Sequence, residues 1–301
     1  MKRRKKTKAR TVVMKMVKNE KYKDVYDGTF KDHGTFVKWI EKPKLKDPIF
    51  IEGLPGIGYV GRNAAGYLVD ELKAVKFAEL YSYHFPHVVL VDGKTGIIRE
   101  IKNEFFYWKA KKKGQRDLII LIGDAQSMEP KGHYLIAEKI IDIVSELGAK
   151  EIITLGGFAT GEIFDREPKI YGAGISEKDV KKFEKLGVVF KNTNVGQIIG
   201  AAGLLLAVGR QRGMNGVCLM GETSGMLISD PKATEALLKT LVKYLKVDLD
   251  FSKIEAKVKE IEEVMKKVED LQQRIMASLQ AQQELAAGKK EEDEDRIRYI
   301  G

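Results

Sequence analysis

Residues 49–61 read Ile-Phe-Ile-Glu-Gly-Leu-Pro-Gly-Ile-Gly-Tyr-Val-Gly. An apolar strand runs into a glycine-rich turn, and a helical period opens at Tyr59. That order, strand then tight turn then helix, is the unit from which α/β folds are built. Gly56, Gly58 and Gly61 have the spacing of a dinucleotide-binding fingerprint, in the strand-to-helix context the fingerprint requires. Glu79 stands eighteen residues after Gly61, where a ribose-binding acid is expected. Glycines at these places equally serve a tight turn and close helix-on-sheet packing.

The same alternation continues on both sides. β-rich apolar runs occur at Val75–Ala78, His87–Val91, Leu118–Ile122, Glu151–Leu155 and Val217–Met220. Helical periods occur at Tyr59–Leu72, Tyr134–Leu147, Gly196–Gly209 and Ala233–Leu245. Continuous Ile/Leu/Val runs between helices predict a mostly parallel sheet covered on both faces, a three-layer α/β sandwich. Asp92–Gly96 reads as a hairpin turn and makes the sheet mixed. Residues 1–45 read as a basic, flexible start followed by edge elements near Phe36–Ile40, and residues 46–250 as the α/β core.

Beyond that core, Ile254, Val258, Ile261, Met265, Val268, Ile275 and Leu279 follow the alternating four-and-three steps of a coiled-coil seam, with Gln272 as a polar seam position. Residues 251–287 therefore read as a heptad helix that pairs with other helices. Gly288 stops it, and residues 288–301 form a charged tail ending in Tyr299-Ile300-Gly301. An acidic leash that closes on an aromatic and a branched aliphatic reads as a peptide that inserts into another protein.

Composition narrows the function classes. The 301 residues carry a net charge of +10, but seven of the first ten are Lys or Arg, so the basicity belongs to the terminus and nucleic-acid binding is the weakest class considered. No apolar run is long enough to span a bilayer. The single cysteine, Cys218, excludes an internal disulfide and fits a reducing cytoplasm. Charged residues at 32% with one Cys point toward a thermophile. The chain has no phosphate-loop motif and no nucleophile elbow. His84 and His87 have metal-ligand spacing, but Pro86 breaks the helix that would align them, so no metal and no cofactor is expected.

Candidate site residues gather in the loops that follow strands. They are Gly53, Pro55, Gly56, Gly58 and Gly61, then Asp124 and Gln126, then Gly157 and Thr160, then Glu222, Thr223 and Ser224. In open α/β sheets these strand ends form the ligand crevice. They line one pocket on one reading and are ordinary turns on the other.

Taken together, residues 50–61, Gly123-Asp124-Ala125-Gln126, Leu155-Gly156-Gly157 with Thr160-Gly161, and Gly221-Glu222-Thr223-Ser224-Gly225 resemble the proteasome assembly chaperone family in its archaeal form. The resemblance covers about residues 45–248. The helix and tail resemble archaeal members that act on the assembled 20S proteasome without ATP. It implies a sandwich similar to nucleoside phosphorylases, no enzymatic activity, and homo-oligomers, here a tetramer or pentamer, whose tails reach the proteasome α-ring. It also implies that the glycine fingerprint is a structural turn. Activators of the proteasome commonly end in a hydrophobic residue, Tyr, then any residue. This chain departs from that, with Tyr299 third from the end and Ile300 penultimate. The alternative is a nucleotide-binding enzyme, an NAD-dependent oxidoreductase or a phosphorylase-like protein, working through Gly56, Gly58 and Gly61.

Overall fold

The apolar runs at residues 49–53, 118–123, 151–159 and 215–223 become the centre of an eight-stranded mixed sheet flanked by helices. The computed structural model describes residues 34–191, 193 and 195–264. In chain order the elements are β1 (Thr35–Trp39), β2 (Ile49–Gly53), a single 3₁₀ turn (Ile57–Tyr59), α1 (Val60–Leu72), β3 (Val75–Ser82), β4 (Val89–Val91), β5 (Ile98–Glu100), β6 (Asn103–Trp108), β7 (Leu118–Gly123), α2 (Pro130–Glu146), β8 (Glu151–Ala159), β9 (Ile170–Gly174), α3 (Glu177–Glu184), α4 (Ala201–Gln211), β10 (Asn215–Thr223) and α5 (Pro231–Leu245).

The sheet runs β1-β3-β6-β7-β2-β8-β10-β9. Its core, β7-β2-β8-β10, is parallel. All the other pairings are antiparallel. Every residue of β2 and β7 is buried, because helices lie on both sides of the parallel core. That double burial is why these strands read as unbroken apolar runs. On one face Phe50, Ile119, Leu121, Ile152 and Cys218 pack with Ile136, Ile140 and Leu205 of α2 and α4. On the other, α1 and α5 come so close that Gly61 touches the β8 backbone and Gly221 the α5 backbone.

Three features differ from the sequence expectations. The Asp92–Gly96 turn does close a hairpin, but β4 and β5 form a two-stranded sheet of their own. The mixed character comes instead from β1, β3, β6 and β9, of which β6 and β9 were not recognised as strands. Gly196–Gly200 is irregular, and α4 starts only at Ala201, because Gly200 is left-handed at φ +90. The helix α5 is well specified locally. Asp230 caps it by accepting the Ala233 amide, and Pro231 fills its first turn.

The chain separates into a unit that ends at Leu249 and a second that begins at Asp250. In the second, a helix runs from 252 to 264, the last described residue. Ile254 is buried and Val258 and Ile261 are partly buried, while the remaining residues of this helix are exposed. The rest of the seam, Met265, Val268, Gln272, Ile275 and Leu279, lies outside the described residues, as do Tyr299, Ile300, Gly301 and the basic residues 1–33.

Candidate functional site

The parallel core aligns the carboxyl ends of β7, β2, β8 and β10 on one edge, so all four glycine-bearing loops meet there. What each glycine does is readable from its surroundings. A Cβ on Gly61 would strike the Leu155 carbonyl oxygen, and one on Gly53 would strike the Gly61 carbonyl. One on Gly157 would strike the carbonyl of Ile57. These three glycines therefore clamp α1 and its entry turn onto β2 and β8. Gly58 is left-handed at φ +60 and is followed by left-handed Tyr59 at φ +50. Gly58 carries that geometry without strain, whereas Tyr59 adopts it at a cost of about 1 kcal/mol. Gly56 has open space around it.

A dinucleotide needs its pyrophosphate beside the second glycine and a ribose acid on the neighbouring strand. Neither is available here. Asp230 occupies the approach to Gly58: its Cβ lies 3.3 Å from where a Gly58 Cβ would stand, and its amide donates to the Gly58 carbonyl at 2.9 Å. The Asp230 carboxylate accepts from the Thr223 hydroxyl at 2.6 Å and the Ala233 amide at 2.9 Å. A buried carboxylate at that position repels a phosphate. Glu79 lies on β3, which is separated from β2 by β6 and β7. There it pairs with Lys102 and Lys76 and accepts from the Tyr81 hydroxyl. Burial opposes its charge, but those partners hold its pKa down to about 2.

The polar loop residues are brought to one edge but turn to separate tasks. Gln126 joins two loops: its side-chain NH₂ donates to the Pro55 carbonyl at 2.7 Å, and its oxygen accepts the Ala201 amide at 2.8 Å, capping α4. Asp124 accepts from both Arg99 nitrogens, at 2.6 and 3.1 Å, and from the Lys102 amide. Burial works against its charge, yet these bonds keep it below the ordinary carboxylate range. Glu222 takes a two-pronged bond from Arg166 at 2.5 and 2.7 Å and accepts the Lys169 amide. Thr160 donates to the Thr223 carbonyl through both its amide and its hydroxyl. Ser224 accepts the Met226 amide at 3.3 Å. Asp124 and Glu222 thus neutralise partners on opposite halves of the edge rather than converging on one cleft. His84 does have a carboxylate neighbour, Glu129 at 3.4 Å. Among the described residues no three His, Cys, Asp or Glu side chains gather as a metal site, and no helix is long and apolar enough to cross a membrane.

Loops stitched by their own side chains over a mixed sheet are a scaffold, and the scaffold has relatives. The family model described as PAC2 family matches residues 50–269. The chain belongs to the PAC2 family. Among solved structures it is similar to Pyrococcus furiosus PbaB, described as an archaeal proteasome activator, at 43% identity and TM-score 0.74, covering 78% of this chain and 99% of that one. It is also similar to PbaA of the same organism, described as an archaeal homolog of proteasome-assembly chaperone, at 28% identity and TM-score 0.63, covering 82% and 97%. An uncharacterised protein of Methanocaldococcus jannaschii is 38% identical over 257 residues, covering 85% of this chain and 93% of the relative.

One residue of this PAC2 chain stands out that sequence reading passed over. Glu52 lies in the middle of the parallel core, in register with Thr154, which is in register with Cys218. Its Oε1 accepts the Leu54 amide at 3.0 Å. Its Oε2 is buried and has no hydrogen-bond partner among the described residues. Burial pushes its pKa up to about 8. The folded chain therefore keeps a proton that the unfolded chain, with an ordinary carboxylate, gives up. Stability is full below the unfolded value near 4.5 and falls as pH rises to about 8. Glu52→Gln preserves the shape and cannot ionise. Its melting temperature is expected to hold between pH 5 and 8 while the parent's falls by several degrees, a difference on the order of a few kcal/mol. Differential scanning calorimetry across that range checks it, and parallel curves would refute it. The signal was present in the sequence as a lone acid inside an apolar strand. Asp230 was also legible, as an Asp before Pro at a helix start.

Proposed function

We propose that this PAC2 protein is a nucleotide-independent activator or assembly factor of the 20S proteasome, acting by contact and not as an enzyme. The observation that carries this is the likeness to PbaB at 43% identity over 99% of that chain. The body is a three-layer sandwich of phosphorylase-like type, and the 251–287 helix pairs through Val258, Ile261 and the seam beyond them, Ile254 being already buried within its own chain. Copies associate, as a tetramer or pentamer in the cytoplasm. Each projects residues 288–301 toward the proteasome α-ring, where Tyr299 and Ile300 seat between adjacent subunits and the Gly301 carboxylate meets a basic group.

Magnitudes support a many-tailed device. Burying Tyr299 and Ile300 contributes roughly 3–6 kcal/mol, and ordering the leash cancels much of it. A single tail binds weakly. Several tails on one particle raise avidity by about 10²–10⁴. Fourteen residues of leash span about 20 Å on average, enough to bridge from a body to a neighbouring ring. Tails open the gate only by binding the open ring better than the closed one. The test is co-elution of the full chain with purified archaeal 20S particles on a sizing column. Co-elution is expected, and separate elution at micromolar concentrations would sink the proposal.

A further inference from the structure

The connection between β6 and β7 is longer than its task requires. Antiparallel neighbours are commonly joined by about two to five residues, whereas this loop runs to nine, from Lys109 to Asp117. The extra length is folded and anchored. Gln115 turns its side chain back, and its oxygen accepts the Lys111 and Lys112 amides at 3.1 and 2.9 Å. Gly114 supplies the left-handed residue, at φ +89, that the reversal needs. Beneath it the buried Asp117 accepts the Ala110 and Lys46 amides at 2.9 and 2.7 Å. Arg116 donates to the Asp47 carbonyl at 2.9 Å and pairs with Glu151.

From this platform two side chains reach to the last residues of the α/β body. Gln115 donates its NH₂ to the Lys246 carbonyl at 2.7 Å. Lys112 pairs with Asp248 at 2.8 Å. Lys246 follows the end of α5 and is left-handed at φ +57, a conformation that a lysine keeps only where its surroundings hold it. Val247 is buried, and the second unit begins at Asp250. Lys246–Phe251 contains no Gly, Ser or Pro, so the joining segment is not built as a flexible linker. A plain cap on α5 needs one bond to a carbonyl. It explains neither the reach of Lys112 past the helix end to Asp248 nor the length of the loop.

We infer that the Lys109–Asp117 loop is a clasp on the chain's exit from the body, with Gln115 as the positioning residue, and that it sets the direction in which the 251–287 helix carries the tail. The functional half of this inference rests on the tail docking proposed above. A helix over residues 251–287 is about 55 Å long, so a swing of about 30° at its base moves its far end by roughly 30 Å. That exceeds the distance of about 20 Å that residues 288–301 span on average. A loose exit therefore spreads the tips beyond the pockets they share and lowers their effective concentration. Of the two ties the Gln115 bond dominates, because Lys112 and Asp248 are 69% and 88% exposed and an exposed ion pair holds little.

The test reads the exit directly. Full-length chains carry spin labels at Glu138→Cys on α2 and at Lys257→Cys on the helix after Phe251. Both positions are exposed, and burial keeps the native Cys218 thiol from the label. Labelled chains are diluted into unlabelled parent, so that pulsed dipolar electron paramagnetic resonance reads distances within one chain. The parent is expected to give one narrow distribution. Gln115→Glu keeps the oxygen that folds the loop and loses the donor to Lys246. Gln115→Met loses the donor and brings no charge near Lys246. Each is expected to widen the distribution about twofold at an unchanged melting temperature of the body. A broad distribution in the parent, or the parent's width in both variants, overturns the inference. In peptide hydrolysis by 20S particles, both variants are expected to need about threefold more protein for half-maximal stimulation and to reach the parent's maximum, since the tips are intact. A lowered maximum without that shift overturns the functional half. Absence of stimulation by the parent removes the docking proposal instead, and the distance measurement still decides the clasp.

Discussion

A chain lacking Tyr299–Gly301 is expected to lose the proposed stimulation of peptide hydrolysis by 20S particles, at unchanged fold and unchanged assembly. The expected fall is at least tenfold at concentrations where the parent saturates. Three residues have so large an effect because every copy loses its plug at once. If each seated tip contributes half of the roughly 3–6 kcal/mol available from its two apolar side chains, four or five tips together supply about 6–15 kcal/mol, comparable with the roughly 12 kcal/mol of a nanomolar complex. The measurement is fluorogenic peptide turnover without nucleotide, with circular dichroism and sedimentation on the same samples. A truncated chain that stimulates as well as the parent removes the tail from the mechanism. Tyr299→Ala should follow the truncation most of the way. The shifted position of Tyr299 makes an added C-terminal residue informative too, because it moves the tyrosine further from the carboxylate.

The second large effect concerns two glycines of one motif. Gly61→Ala is expected to destabilise the fold by about 3 kcal/mol or more, lowering the melting temperature by about 6–12 °C, because the new methyl meets the Leu155 carbonyl of a packed strand and neither backbone can yield. Gly56→Ala is expected to change stability by less than about 0.5 kcal/mol, since its backbone is extended and nothing lies within 4 Å of the new atom. A nucleotide site gives another pattern, with NAD affinity lost at Gly58 and Gly56. Titration calorimetry with NAD is expected to give no binding heat. Saturable binding, abolished by a bulky residue at Gly58, would restore the enzyme.

Which parts of the molecule were legible follows from burial. The doubly covered strands β2, β7, β8 and β10 carry continuous apolar runs and were placed within a few residues of their observed ends. The helices α1 and α2 show a clean period because each buries one stripe, whereas α5 is buried over most of its surface and is marked instead by its Asp230-Pro231 start. In β6, Asn103-Glu104-Phe105-Phe106 has no regular alternation, and β9, Ile170-Tyr171-Gly172-Ala173-Gly174, has two glycines in five residues. Neither signals a strand locally, and sheet neighbours made them strands. The glycine fingerprint was read correctly as a strand-to-helix turn. What stands against a nucleotide there is Asp230, 172 residues after Gly58 in the chain, and a sheet order that no local pattern encodes. Asp124 and Glu222 both follow or end strands of the parallel core, on its carboxyl-end edge. Their arginine partners, Arg99 and Arg166, sit in segments without any motif.

The placement of β2 has a consequence for how the protein is made. Ile49 lies between Leu118 on one side and Glu151 on the other, so the first strand of the parallel core to leave the ribosome cannot be flanked until about a hundred further residues have followed. At 5–20 residues per second that is a wait of roughly 5–20 s. Throughout it at least one edge of the Ile-Phe-Ile segment is open to the wrong neighbour. A protein proposed to assist another's assembly has, in its own birth, the long exposed interval that general folding helpers exist to shield.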